Sequence, residues 1–432
     1  MKWVKGFVLV LIFLSLVGFV YAGGQKETKG VKITLWSGYP DLQKFYESVV
    51  RQFEEKNPSI TVEVQTFALN DLNQKLGVAI PSKTAADVLE LISVHSFPYA
   101  QKYFTEVPKE VQRDVNSGIN KNYLHDVMYN GKMLGVPFCF YSEVLYYNKD
   151  YFAEAGLPGA PDTMDQLKVY AKKLTKYDAD GNVTRSGISL RFAGHPSGTC
   201  EKFWALGLLP YGGDILAPAG NGKYHNGFNN ESGYQALKLY IDLLYKYKVT
   251  DFKIKQDAEA FAEGKAAMFE REQWVVSYLK QHAPNLNYDA SVLPKATRRA
   301  TFAITRNMFV PKFSKHQAAA WKFIDFFYQK PIMERMVKET GWLSTRKDLD
   351  YKDLLKDKAQ LLAGVQYPSD LQFVWQKRLR VENEIMSRMG ERLPTLYRDK
   401  SLLNNDTKIR VAIKNLADMV DGILKEANLY GE

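Results

Sequence analysis

The stretch Gly264 to Trp274, GKAAMFEREQW, packs three ionisable side chains and an indole into its last five residues. Glu270, Arg271 and Glu272 can form charge-assisted hydrogen bonds to a polar guest, and a guanidinium or carboxylate does so in bidentate geometry. Trp274 adds a large flat ring that covers an apolar surface at little conformational cost. The same residues could equally open an exposed helix with a half-buried tryptophan. Which reading holds depends on the elements that position them.

A chain of 432 residues predicts two domains. With 46% hydrophobic and 25% charged residues it has ordinary globular composition, but 26 tyrosines, 24 phenylalanines and seven tryptophans exceed what its core needs. Lys2 and Lys5 followed by the apolar run Gly6 to Val20 and a small Ala22 predict a secretory leader, residues 1–22, cleaved after Ala22. At about 15 residues the run falls short of the roughly 20 that span a bilayer. No cysteine follows it, so no lipid anchor is expected, and the location implied is periplasmic or extracellular. Loss of Lys2 and Lys5 takes the formal charge from +10 to +8. Basic residues are spread along the chain and interleaved with acidic ones, which speaks against nucleic acid as a partner. Cys139 and Cys200 stand among aromatic neighbours, and either two buried thiols or a disulfide is compatible with an oxidising compartment.

VKITLWSG (Val31 to Gly38), ITVEVQTF (Ile60 to Phe67) and ADVLELIS (Ala86 to Ser93) read as strands, with a helix on Leu42, Phe45, Tyr46, Val49 and Phe53 between the first two. Strand, helix, strand, helix, strand predicts a parallel sheet covered on both faces. Ligands bind beyond the carboxyl ends of such strands, which points to Trp36, Ser37 and His95. Asn130-Gly131 predicts a hairpin, and Pro137 predicts an edge or crossing strand over Phe138 to Tyr147. Ser314 and Gln317 have capping-box spacing before the stripe Ala320, Trp321, Ile324, Phe327 and Tyr328, which makes Trp321 a core residue. DADGN (Asp178 to Asn182) has a misplaced glycine and Ser189 where a calcium loop needs glutamate, so it reads as a turn and no metal is expected.

Six segments in order carry a resemblance: FEEKNPSITVEV (Phe53 to Val64), GKMLGVPF…LYYNKDYFAEAGLP (Gly131 to Pro158) and PDTMDQL (Pro161 to Leu167), then FAEGKAAMFEREQW (Phe261 to Trp274), SKHQAAAWKFIDFF (Ser314 to Phe327) and TGWLSTR (Thr340 to Arg346). Together they resemble the substrate-binding proteins of bacterial ABC sugar importers, the branch that includes the maltose-binding proteins. The resemblance implies an α/β fold of two lobes of the class II periplasmic-binding-protein type, each a mostly parallel sheet flanked by helices and joined by crossing segments. Lobe 1 would take residues 31–140 and 304–350; lobe 2 would take 141–303 and the C-terminal helices of 351–432. Hinge residues would lie near Phe138 to Tyr141 and Thr305 to Val310. It also implies a carbohydrate ligand, membrane permease subunits as partners, a monomer, no cofactor and no catalysis.

In that frame Trp274 matches the family's sugar-stacking tryptophan, and Glu143 matches a position that accepts hydrogen bonds from sugar hydroxyls. Glu270, Arg271, Trp204, Trp342 and Trp375 join them as candidate ligand contacts, with His195 on a glycine-rich loop beside them. Glu272-Gln273 stands where the family often has a small pair, and Ser344 where proline is common; both bear on which ligand is held. A glycosidase needs two carboxyl groups facing across the scissile bond, and no such pair is legible here. Arg298, Arg299 and Arg306 keep an anion, an acidic sugar or a polyol in view as the alternative ligand.

Overall fold

The computed structural model describes residues 30–432 apart from Ala193 and Gln256. The expected leader, residues 1–22, lies outside the described residues. Among the described residues nine strands join in one sheet: β1 (Val31–Ser37), β2 (Ile60–Thr66), β3 (Val88–Ile92), β4 (Val136–Asn148), β5 (Met268–Glu272), β6 (Tyr288–Val292), β7 (Arg299–Phe309), β8 (Leu343–Ser344) and β9 (Leu371–Val374). The main path runs β5-β4-β7-β3-β1-β2, with β6 and β8 also on β4 and β9 on β7.

The expected parallel trio is present: β1 pairs in parallel with both β2 and β3. Helices α1 (Gln43–Lys56) and α2 (Leu69–Ala79) return the chain between them. Around β4 the ladders are antiparallel, to β5, β6, β7 and β8, where a parallel second sheet was expected. The reason is that β4 carries the chain out of one half and β7 brings it back, so the two run in opposite directions. Parallel bridges from Ser186 to Ala266 and from Ser189 to Phe269 extend the second half.

Two hydrophobic clusters flank these crossing strands. The first gathers β1, β3, α1 and the helices α7 (Gln317–Tyr328) and α8 (Lys330–Thr340). Phe53 meets Phe323 edge-on at 5.2 Å, and Trp321 is buried there as its stripe predicts. The second gathers α3 (Pro196–Lys202), α4 (Glu231–Ile241), α9 (Glu382–Arg398) and α10 (Asp406–Glu426). Burying each such side chain contributes about 1.5–3 kcal/mol. β4 and β7 contribute to both clusters, Phe140 and Met308 to the first, Leu145 and Ile304 to the second. Cys139 falls in the first and Cys200 in the second; both are free, buried thiols.

One local expectation is met and one is corrected. Of the two readings open for Pro137, the crossing strand is the one found, since β4 has neighbours on both sides. The ladder register slips between Arg306 and Asn307 opposite it, so the missing N–H disrupts nothing. Ser314 does not cap α7, which starts at Gln317 with no side-chain cap; the Ser314 hydroxyl instead donates to Asp87 Oδ1 at 2.6 Å. The loop to α7 is thereby tied to β3, and that tertiary bond outbids the local one. Asn130-Gly131 closes a hairpin, and Asp178 accepts from the backbone N–H groups of Asp180 and Asn182 in a turn.

Candidate functional site

A cleft of about 480 Å³ opens where the two clusters meet and is lined by residues of both, within the range of small-molecule sites. One wall comes from the β1 side: Tyr39 beyond the strand, Asn70 and Asn73 on α2, and His95 after β3. Trp342 joins this wall because α8 ends at Gly341, whose φ of +77° turns the chain sharply, a conformation that glycine adopts without a Cβ penalty. The other wall carries Arg191, Glu201 on α3, Arg271, Trp274, Gln376 and Asn383 on α9. α9 lies close on α3 at Gly390, where an added Cβ would sit 1.7 Å from the Pro196 carbonyl oxygen. Substitution at Gly390 would therefore push α3 and its cleft residues out of place. Tyr141, in the middle of crossing strand β4, faces the floor.

The second wall rests on a buried charge network. Glu272 and Glu143 stand directly opposite across the β5–β4 ladder, an arrangement of like charges that destabilises a sheet on its own. Lys202, the last residue of α3, resolves it by donating to Glu143 and to Glu272 Oε1, the latter at 3.1 Å. Glu272 Oε2 accepts the Trp274 indole N–H at 2.9 Å, which fixes the ring. Burial works against a charged Glu272, but Arg271 and Lys202 outweigh it and hold its carboxyl well below the usual range. Burial and the charge of Glu272 push Glu143 well above that range. Arg271 continues the network to Asp257 at 3.3 Å and lies 5.0 Å from the Trp274 ring centroid. The Glu272-Gln273 pair thus has a structural meaning: Gln273 Oε1 accepts the Ser142 N–H and its Nε2 donates to the Ser142 hydroxyl, clamping β4 beside Tyr141.

The first wall has its own support. Arg306 is fully buried, paired with Glu90 at 2.8 Å, and its guanidinium stacks 3.1 Å from the Tyr39 ring centroid and 4.1 Å from that of Trp342. The Trp342 N–H donates to Asp41 Oδ2 at 3.0 Å. Both rings are thus held before any guest arrives. His95 is pushed down to about 4 by burial, so its imidazole is neutral at physiological pH. Glu201 is the contrast: among the described residues it makes no hydrogen bond or ion pair, and burial pushes it up to about 7.

Of the ten site residues predicted from sequence, the structure brings His95, Arg271, Trp274 and Trp342 together in the cleft. It places the other six elsewhere. Trp36 and Ser37 belong to β1 itself: the indole meets Phe67 edge-on at 5.7 Å beneath Lys75, and Ser37 is fully buried, its hydroxyl accepting the Tyr39 N–H. Glu143 and Glu270 lie behind the wall, Glu143 bound to Lys202 and Glu270 pushed up to about 8 by burial. Trp204 is core, stacked on Phe302 at 4.9 Å with its N–H on Asp214. Trp375 stacks on His125 at 5.5 Å, away from the cleft. His195 does reach the cleft, with its Nδ1 2.8 Å from the Ser197 hydroxyl.

Sequence reasoning missed Tyr39, Asn70, Asn73, Tyr141, Glu201 and Asn383. The available signal was helical spacing: Asn70 with Asn73, Ser197 with Glu201, and Asn383 with Met386 are i,i+3 or i,i+4 pairs, each on one helix face. Nothing in the sequence says that these three faces converge.

A ligand cleft between two α/β halves, crossed by paired strands, defines a two-lobed binding protein. The chain belongs to the bacterial extracellular solute-binding protein family, whose model matches residues 48–363. It is similar to a putative binding protein of Brucella abortus, 26% identical over 379 residues that cover 86% of this chain and 88% of the relative. A maltodextrin-binding protein of Bacillus subtilis is 23% identical over 334 residues, covering 74% and 76%. Among solved structures, the sugar-binding protein MalE of Xanthomonas citri superposes with a TM-score of 0.77 at 19% identity, covering 92% of this chain and 98% of that one. These likenesses establish the fold as that of the MalE-like binding proteins. Family membership implies an extracellular or periplasmic location, and among the described residues no helix is long and apolar enough to cross a membrane.

Proposed function

We propose that the chain is the carbohydrate-binding component of an ABC importer: it captures a sugar between two lobes, without turning it over, and presents the closed form to a membrane permease. The observation that carries this reading is the pairing of two anchored indoles, Trp274 and Trp342, with a rim of amides and ionisable groups in one cleft. A pyranose has one face of C–H groups and a belt of hydroxyls. Rings cover the first, and Asn70, Asn73, Asn383, Arg271 and Glu201 suit the second. The relatives support the ligand class, because they include a maltodextrin-binding protein. Closure would bend β4 and β7, which contribute to both clusters, and the lobes would be residues 31–140 with 304–350 and 141–303 with 351–432.

A thermal-shift panel of neutral sugars, polyols, uronates and inorganic anions, with product analysis on every compound that shifts the melt, tests the proposal. A neutral or acidic sugar should raise the melting temperature and be recovered intact, with affinity on the order of micromolar or tighter. Shifts by phosphate or carboxylates alone would replace the sugar reading, and cleavage of a bound sugar would end the transport reading.

The unpartnered Glu201 gives a pH dependence. Its ionised carboxylate accepts two hydroxyl hydrogens, and its protonated form offers one fewer acceptor site. With the free-protein group near 7, affinity is expected to hold above neutrality and to fall by about tenfold between pH 8 and pH 5.5. Glu201→Gln should bind more weakly at pH 8 and lose that slope. Calorimetric titration at both pH values checks it; an unchanged slope in the variant removes Glu201 from the site.

A further inference from the structure

A second groove of about 460 Å³ lies on the far side of Trp274. It shares Arg191, Arg271 and Trp274 with the cleft, so the two spaces meet at that indole. Its own walls come from residues 257–259, at the start of the helix Asp257–Ala262, and from Tyr278. Tyr278 lies one helical turn on from Trp274 and meets it edge-on at 6.3 Å; His282, one turn further, packs against Tyr278 at 4.3 Å. Three rings therefore follow one another along one face of the helix Val275–His282 and the residue before it. Glu259 stands over this row largely exposed, engaged among the described residues only by Lys255 at 3.9 Å. Asp257, by contrast, is taken up by Arg271 and Arg191 and forms the partition between the two spaces.

The groove repeats the chemistry of the cleft: a half-buried ring with a carboxylate at its edge, here exposed and paired with Lys255. A single sugar unit needs one such station. A second station, reached without leaving the first ring, has a use only for a ligand that extends past the cleft. We infer that cleft and groove hold one molecule, an oligosaccharide whose inner units lie between Trp342 and Trp274 and whose outer end passes over Trp274 onto Tyr278, with Glu259 accepting its hydroxyls. This rests on the carbohydrate reading given above and narrows it to a chain length.

The test is calorimetric titration of the full chain with ladders of one to six units of α-1,4-glucan, β-1,4-glucan, β-1,4-mannan and β-1,4-galactan. In the ladder that binds, affinity should climb about tenfold or more as the chain lengthens past the units the cleft holds. Tyr278→Ala should reduce the affinity of the longest members by about tenfold and leave the shortest binder within about twofold. Glu259→Lys, at an exposed position that does not endanger folding, should show the same length-selective loss. Equal affinity along the binding ladder, or losses in both variants that strike short and long members alike, would overturn this inference and leave the carbohydrate reading standing. Silence of every ladder, alongside shifts by anions alone, would overturn both.

Discussion

Replacing Trp274 with alanine is expected to weaken ligand binding by about 100-fold, roughly 3 kcal/mol, with little loss of fold stability. An aromatic anchor in a desolvated pocket costs about 2–4 kcal/mol when truncated. Here the ring does three things at once. It borders both the cleft and the groove, it donates to Glu272 at 2.9 Å, and it covers the Arg271 guanidinium. Loss of the indole removes the platform and one of the two groups on Glu272 Oε2, while the Arg271 guanidinium stays at 3.4 Å and keeps the wall in place. Trp274→Phe separates the two contributions: it keeps a ring and loses the N–H, and about a tenfold loss is expected. Trp204→Phe, in the core, should leave affinity unchanged while lowering the melting temperature. Titration of the bound sugar against the three variants, with melts alongside, reads both effects. Equal affinities in wild type and Trp274→Ala would move the site away from this indole.

Lys202→Met should be the most destabilising single change in the second half of the molecule, at roughly 3–5 kcal/mol, because removing one partner of a buried ion pair leaves the other charge uncompensated. Lys202 is the cation between Glu143 and Glu272, which face each other across β4 and β5 with side chains nearly or wholly withdrawn from solvent. The sign with pH follows from the carboxylates. In the variant Glu143 is held as a neutral acid by burial and by the charge of Glu272, which Arg271 still holds ionised, so the protonated form of Glu143 stabilises the fold below the usual carboxylate range and that stability is lost as pH rises. The variant should therefore approach wild type near pH 4 and fall furthest behind above pH 8. Lys202→Met with Glu143→Gln should recover part of the loss, since a neutral amide ends the repulsion. Chemical denaturation at the two pH values decides; a deficit that does not change with pH would mean that the network contributes by shape and not by charge.

How much of this was legible beforehand differs between fold and site. Period-2 runs and 3.6-residue stripes located β1, β2, β3, α1 and the buried face of α7, because each pattern is a local consequence of where a side chain points from its own backbone. The same local logic failed at Ser314 and left Pro137 undecided between edge and crossing strand. A hydroxyl that could cap its own helix reached Asp87 instead, and the proline fits a crossing strand because it sits opposite a slipped register. Both outcomes depend on a partner far away in sequence.

At the site the limit lies in residue type. Tryptophan and glutamate serve a core and a cleft equally well, so Trp204, Trp36, Glu143 and Glu270 read from sequence as contacts and settled into packing or into the charge network behind the wall. Alternation along β5 puts Glu270 and Glu272 on one face and Arg271 on the other, but it does not say how far along the strand the protein stops and the opening starts. That boundary is set by α3, which lays Lys202 over Glu270 and Glu272 and leaves Glu201 free beside them. The sequence by itself determined the alternating α/β elements, the family they belong to, and the indole at which the cleft turns. Only the tertiary structure decided which polar faces converge around that indole, because the faces of α2, α3 and α9 become neighbours through the packing of two separate cores against shared strands, a contact no local pattern records.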